Sequence, residues 1–279
     1  MQTPLIKVTN KIYGKLEAYQ PTGSVKDRMV NYIVEKAFRQ NKIMPGYTRF
    51  IEATSGNTGI SLAAAAARHS CPCIIVMPCN MSQQRKDMMK AFGAHIIEVG
   101  PNCFNDAIQK REELLSKYSK PAESWCPYQF ENPLNVQCHY ETTGPEILNQ
   151  AAELELKIAA FVHGAGTGGT MMGIKKYFDA CELDIPCVLT MPAESAKEHG
   201  IQGINDGADF LLDRGLMKNL ISVETSEAIA RMKKFAREKG LLVGISSGAN
   251  ICAAEAYVDM FKPDGVVITI LCDRGERYI

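Results

Sequence analysis

The sequence predicts an α/β protein of two three-layer domains built on largely parallel, twisted sheets. Apolar runs of strand length alternate with helix-period segments along the whole chain. Several runs, such as Cys73-Ile74-Ile75-Val76-Met77, are apolar at every position, as strands covered on both faces must be. Asn132-Pro133 and the long helical stretch Leu134–Leu154 then divide the chain near its middle, so two α/β units with a cleft between them are expected.

Composition narrows the functional classes. A chain of 279 residues that is 46% hydrophobic can bury a large core. Its formal net charge is zero and it holds no block of like charges, which argues against nucleic acid or an anionic membrane surface as main partner. The longest apolar run, near Ile60–Ala67, is far too short to span a membrane, and no signal peptide opens the chain. The ten cysteines are scattered through strand-like and helix-like segments, a pattern of reduced cytoplasmic thiols rather than a disulfide framework. The cluster His69-Ser70-Cys71-Pro72-Cys73, with Cys79 beyond, lacks paired C-x-x-C spacing, and no metal site is expected from it.

In order, strands are expected at Arg49–Ala53, Cys73–Pro78, Ala94–Val99, Lys157–His163, Pro186–Met191 and Gly265–Cys272. Helices are expected at Gly59–His69, Gln83–Phe92, Asn105–Lys117, Thr170–Ala180, Thr225–Lys239 and Gly248–Met260. The stretch from Ala193 to Asn219, with four glycines and mixed charge, reads as loop and short helix.

Five short segments carry candidate chemistry. In Gln20–Arg28 one lysine, Lys26, stands where a loop becomes a helix; Pro21 and Gly23 make the turn and Ser24 can cap. Val25 begins an apolar stripe continued by Met29, Ile33 and Phe38. An amine on so rigid an element is placed to attack a carbonyl, although a lysine alone reads as solvated surface. The loop Thr54-Ser55-Gly56-Asn57-Thr58-Gly59 joins a strand to a helix and offers backbone N–H groups to an anion, a carboxylate as readily as a phosphate. The loop Gly164-Ala165-Gly166-Thr167-Gly168-Gly169-Thr170 makes a cradle for a phosphate dianion. It also satisfies G-x-G-x-x-G, and Glu194 lies where a ribose-binding acid would sit, so a dinucleotide reading is formally open. In Gly244-Ile245-Ser246-Ser247-Gly248-Ala249, Ser247 can cap the next helix while Ser246 faces elsewhere. In Gln129-Phe130-Glu131-Asn132-Pro133, Gln129 can reach a substrate carboxylate or make an ordinary interdomain hydrogen bond. A phosphate cradle, a carboxylate loop, a placed lysine and a neutral hydroxyl together suit a cofactor that has a phosphate and an aldehyde and acts on amino acids. Pyridoxal phosphate is that cofactor.

These motifs, with Thr142–Ile147 and His199–Ile204, resemble cysteine synthase (O-acetylserine sulfhydrylase) and, with it, the cystathionine β-synthase group of fold-type II pyridoxal-phosphate enzymes. The resemblance covers nearly the whole chain in order. It implies a smaller substrate-binding domain at 27–130 and a larger cofactor-binding domain at 1–26 plus 131–279, with the cofactor in the interdomain cleft of a homodimer. It implies that Lys26 forms the internal aldimine and that Asn57 meets the cofactor's phenolic oxygen. Gly166, Thr167, Gly168, Gly169 and Thr170 would hold the phosphate and Ser246 the pyridine nitrogen. Thr54, Ser55, Thr58 and Gln129 would hold the substrate carboxylate. A serine at the pyridine nitrogen leaves it mostly unprotonated, which suits loss of a β-substituent through an aminoacrylate, with Lys26 as general base and ping-pong kinetics.

The chain departs from the family pattern after His199–Ile204, where Asn205-Asp206-Gly207-Ala208-Asp209 replaces a glycine-rich stretch. Asn205-Asp206-Gly207 has the composition of a plain turn. Alternatively, Asp206 is a general base toward water or a thiol, and water would turn cysteine into serine and sulfide. The final stretch, Cys272–Tyr278, also differs, with Arg274 either in a surface ion pair or tuning a nearby carboxylate. The expected reaction is therefore β-replacement or β-elimination on a serine- or cysteine-type amino acid, with sulfide, a thiol or water as nucleophile. A sulfide-producing hydroxyl-lyase and a serine/threonine dehydratase are the alternatives. An oxidoreductase built on Gly164–Gly169 leaves Lys26 and Ser246 without a role, and a non-catalytic member would not need the intact lysine and phosphate loop.

Overall fold

In the computed structural model the described residues are 2–54, 56–101, 104–120, 122–195, 198–204 and 208–279. The chain opens with strands β1 (Leu5–Lys7) and β2 (Ile12–Leu16), then helix α1 (Lys26–Arg39). Next come β3 (Arg49–Ala53), α2 (Asn57–Arg68), β4 (Cys73–Pro78), α3 (Gln83–Ala91), β5 (His95–Val99), α4 (Phe104–Lys117) and β6 (Ser124–Trp125). Helices α5 (Leu134–Glu141) and α6 (Thr143–Glu153) lead to β7 (Ile158–Gly164), α7 (Gly169–Ala180), β8 (Cys187–Pro192) and β9 (Asn219–Val223). The chain ends with α8 (Thr225–Lys239), α9 (Ile245–Phe261) and β10 (Val266–Leu271). Two compact units result, one of residues 1–25 with 135–279 and one of residues 26–134.

The larger unit carries a six-stranded sheet in the order β1-β2-β10-β7-β8-β9. Only the β1–β2 pair is antiparallel; the other pairs are parallel. Successive residues of its central strands point to opposite faces. Val162, Val188 and Val267 pack with Phe235, Ile251 and Ala254 of α8 and α9. Their neighbours Phe161, Leu189 and Ile268 pack with Ile147, Ile174 and Phe178 of α6 and α7. This two-sided burial explains why these strands read as unbroken apolar runs.

The smaller unit repeats the arrangement on a four-stranded, all-parallel sheet, β5-β4-β3-β6. Phe50, Ile75 and Met77 pack against α1 and α2 on one face, and Ile51, Ile74 and Val76 meet Ala107 and Leu114 of α4 on the other. The α/β class with largely parallel sheets is thus as the sequence predicts.

Three local expectations are corrected. The stretch Leu134–Leu154 is two helices, broken at Thr142, whose φ of −123° leaves the helical region. Pro145 sits in the first turn of α6, where its missing N–H costs nothing, but it cannot continue α5. Ser24 caps nothing: it forms an isolated bridge with Asp273, and its buried hydroxyl has no hydrogen-bond partner among the described residues. The helix carrying Ser246 begins three residues earlier than expected, at Ile245, with Gly244 at its cap.

Candidate active site

In each unit one candidate loop, after β3 in the smaller and after β7 in the larger, follows the carboxyl end of a parallel strand and opens a helix, which is where open α/β sheets bind ligands. In the larger unit β7 ends at Gly164 and α7 begins at Gly169. Gly168, at the cap, has φ +85°, the left-handed region that favours glycine. A Cβ there would meet Leu212 N at 2.4 Å, and one on Gly166 would meet Gly203 O at 2.5 Å. The loop's own backbone is therefore closed against Gly203, Leu211 and Leu212, as Leu211 N donating to Thr167 O at 3.0 Å also shows.

Both threonines of this loop are held from behind. Thr167 Oγ1 accepts from Asn135 Nδ2 at 3.0 Å and from Gly169 N at 3.3 Å. Thr170 Oγ1 meets His139 Nε2 at 3.1 Å, and His139 Nδ1 meets Thr143 Oγ1 at 2.8 Å. All five side chains lie below a tenth exposed. The N-terminal turn of a twelve-residue helix adds backbone N–H groups and a positive dipole end.

Ser246 lies in the first turn of α9, buried at 6% exposure. Ser247 does not cap the helix; its hydroxyl accepts from Cys272 N at 2.8 Å. Four residues on, fully buried Asn250 joins three elements. Its Oδ1 accepts from Gly164 N at 2.8 Å, and its Nδ2 donates to Ile270 O at 2.9 Å and approaches His163 Nδ1 at 3.1 Å. The ends of β7, β10 and α9 are thereby held together. Glu194, the residue open to a ribose-binding role, instead accepts from Thr225 N at 2.8 Å at the start of α8. That bond pulls its carboxyl below the ordinary value, and the dinucleotide reading loses its acid.

In the smaller unit Lys26 is the first residue of α1, half-buried, followed by buried Asp27 and Arg28. Thr54, at the end of β3, accepts from Gly56 N at 3.3 Å. Asn57 begins α2, and Thr58 donates to Gln129 Oε1 at 2.6 Å. Thr54, Thr58 and Gln129 are all buried. The bond to Gln129 stays within this unit rather than crossing between domains. Ser55 and Asp206 lie outside the described residues.

The structure thus gathers Thr54, Asn57, Thr58 and Gln129 in one unit, and the Gly166–Thr170 loop with Ser246 in the other. Asn135, His139 and Asn250 escaped the sequence reading. For Asn250 the local signal was polarity inside an otherwise apolar helix, four residues after Ser246 on α9; Asn135 and His139, on the mixed helix α5, gave none.

These residues fit pyridoxal phosphate. The α7 turn and two braced threonines suit a phosphate, and a neutral hydroxyl in the first turn of α9 suits a neutral ring nitrogen. The first turn of α9 holds no acidic residue that would protonate such a nitrogen.

Comparison with known proteins agrees. Residues 1–273 match the family described as pyridoxal-phosphate dependent enzyme. A cysteine synthase of Staphylococcus aureus is 38% identical over 99% of this chain and 92% of its own length. A hydrogen sulfide-producing enzyme from Fusobacterium nucleatum superimposes with a TM-score of 0.89 at 33% identity, covering 99% of this chain and 96% of that one. An O-acetylserine dependent cystathionine β-synthase from Helicobacter pylori gives a TM-score of 0.89 at 34% identity, covering 100% and 94%. The match over residues 1–273 and the 38% identity along 99% of the chain lead to one assignment: the chain belongs to the pyridoxal-phosphate dependent enzymes, with cysteine synthases among its relatives.

Proposed function

We propose that the protein replaces or eliminates the β-substituent of a serine- or cysteine-type amino acid, as a cysteine synthase does. The observation that carries this reading is Ser246, a buried neutral hydroxyl in a first turn without acidic residues. Bound pyridoxal phosphate supplies an electron sink at the substrate α-carbon. A serine partner for its ring nitrogen keeps that sink modest, which favours prompt loss of a β leaving group over transamination.

The chain's own groups do the rest. Lys26 Nζ anchors the cofactor, takes the substrate α-proton and returns it after the nucleophile has added at the β-carbon. The Gly166–Thr170 loop would hold the cofactor phosphate, and Asn57 would meet its phenolic oxygen. Thr54, Ser55, Thr58 and Gln129 hold the substrate carboxylate in the smaller unit. Asp206 acts as a general base toward the second substrate. The protein works as a cytoplasmic homodimer, which sedimentation and fractionation would check; no helix of the described residues is long and apolar enough to cross a membrane.

A second reading, release of sulfide from cysteine with water as nucleophile, is favoured by the likeness to the sulfide-producing enzyme. One assay separates the two. Purified holoenzyme is offered O-acetylserine with sulfide, then cysteine alone, then serine, while cysteine, sulfide and pyruvate are followed. Cysteine formation supports the synthase, sulfide with serine supports the hydroxyl-lyase, and pyruvate from serine supports a dehydratase. Lys26→Ala should abolish turnover and the visible absorbance of the bound cofactor; a fully active variant would remove the reading. Asp206→Asn should slow turnover while leaving that absorbance intact.

A further inference from the structure

Beneath the carboxylate loop of the smaller unit lies an ion pair that the reaction itself does not call for. Glu52, on β3 two residues before Thr54, is fully buried. Its Oε1 accepts from Arg111 Nη1 at 3.1 Å and from Ala53 N at 2.9 Å, and its Oε2 accepts from Gln129 N at 3.3 Å. Arg111, on α4, is also buried, and its guanidinium lies 4.7 Å from the Tyr128 ring centre. Tyr128 holds φ +50°, the left-handed region that a tyrosine rarely adopts, immediately before Gln129. Its hydroxyl reaches Glu112 at 3.4 Å, and Asn132 closes the same turn on Pro127 O at 2.9 Å. Gln129 in turn accepts the Thr58 hydroxyl.

Burying this carboxylate is costly. Loss of water pushes the Glu52 carboxyl above its ordinary value, against the pull of Arg111 and of the N–H groups of Gln129 and Ala53. A well-packed apolar pair would usually be at least as stable. An apolar residue, however, could not hold the main-chain N–H of Gln129 in a turn strained at Tyr128.

We propose that Glu52, with Arg111 as its counter-ion, is a positioning residue that fixes Gln129 by its main chain and so sets the geometry of the substrate-carboxylate site. The proposal rests on the reading that Gln129 receives that carboxylate. Glu52 touches neither substrate nor cofactor in it. Strand, helix and turn are joined through one carboxylate, so that the Gln129 amide meets Thr58 in a single orientation.

The test uses holoenzyme and whichever of O-acetylserine or cysteine is turned over. Glu52→Gln keeps the shape, but its amide cannot accept from Arg111 and from Gln129 N together. Its KM for the amino acid should rise roughly tenfold, the scale of losing a hydrogen bond to a charged group. The kcat should stay within about twofold, because nothing that moves a proton is touched. Gln129→Ala should raise KM at least as far, and the double variant should be no worse than Gln129→Ala alone. Arg111→Lys, which keeps the charge but loses the fork, should raise KM severalfold. Amide hydrogen exchange of residues 126–132 should quicken in Glu52→Gln, a readout independent of turnover. An unchanged KM in Glu52→Gln beside a raised one in Gln129→Ala overturns the proposal, as do additive effects in the double variant or unaltered exchange. An unchanged KM in Gln129→Ala overturns the carboxylate assignment itself, and the proposal with it. Should Glu52→Gln fail to fold, KM and exchange in Arg111→Lys decide in the same way.

Discussion

The two anion loops, one at the start of α7 and one at the start of α2, look alike as sequences and differ as structures. Around Gly168 and Gly166 the chain's own backbone stands within 2.5 Å of where a Cβ would be, whereas at Gly56 nothing among the described residues stands within 4 Å. Both threonines of the α7 loop are braced from behind by buried Asn135 and His139. At α2 the brace comes from Gln129, on a turn far along the chain. The first loop is closed by its own chain and suits a group that stays bound. The second is open at its cap and suits one that arrives and leaves each turnover.

The largest expected effect tests the closed loop. Gly168→Ala forces a left-handed φ on a residue with a Cβ and drives that atom into Leu212, which should cost about 2 kcal/mol or more and empty the enzyme of cofactor. Absorbance and thermal melting read both. Gly56→Ala should cost about 1 kcal/mol or less. Equal losses at the two glycines would end the contrast.

Next is Asn250→Ala, which strips the partner from Gly164 N and Ile270 O in a fully buried site. A loss of about 2–3 kcal/mol is expected on chemical denaturation, together with weaker cofactor retention. Thr58→Val keeps the shape but removes the donor to Gln129. It should raise KM for the amino acid severalfold while leaving cofactor retention as in wild type. A loss of cofactor there would blur the division of labour between the loops.

The smallest effect is on pH dependence. Burial, with Cys126 and Glu112 nearby, pushes the Tyr128 hydroxyl up to about 12. A group raised above its unfolded value, about 10 for tyrosine, stabilises fully below that value and loses its contribution as pH rises through the folded one. Unfolding curves between about pH 10 and 12 should therefore steepen in wild type relative to Tyr128→Phe. Identical slopes would show that the turn holding Gln129 does not depend on the neutral phenol.

The sequence carried the alternation of elements, the two-sided burial of the central strands and the position of each anion loop at a strand end. Val267 and Ile268 announce opposite faces of one sheet by their order alone. Other elements were silent. β1 spans three residues and β6 only two, and each exists because another strand pairs with it: β1 with the adjacent β2, Leu5 beside Lys15, and β6 with the distant β3, Trp125 beside Phe50. The break between α5 and α6 was legible in Thr142-Thr143-Gly144-Pro145 but outweighed by the helical pattern on either side.

What the sequence determined by itself is therefore the placement of its reactive groups: a lysine at a helix start, hydroxyl-rich turns after apolar strands, and a serine entering α9. These are local, because a turn's residue types set which backbone groups face outward. What only the tertiary structure decided is how those groups are held. Asn250 finds Gly164 at a separation of 86 residues and Glu52 finds Gln129 at 77. A buried polar side chain needs a partner wherever the fold brings one, and local pattern cannot say which.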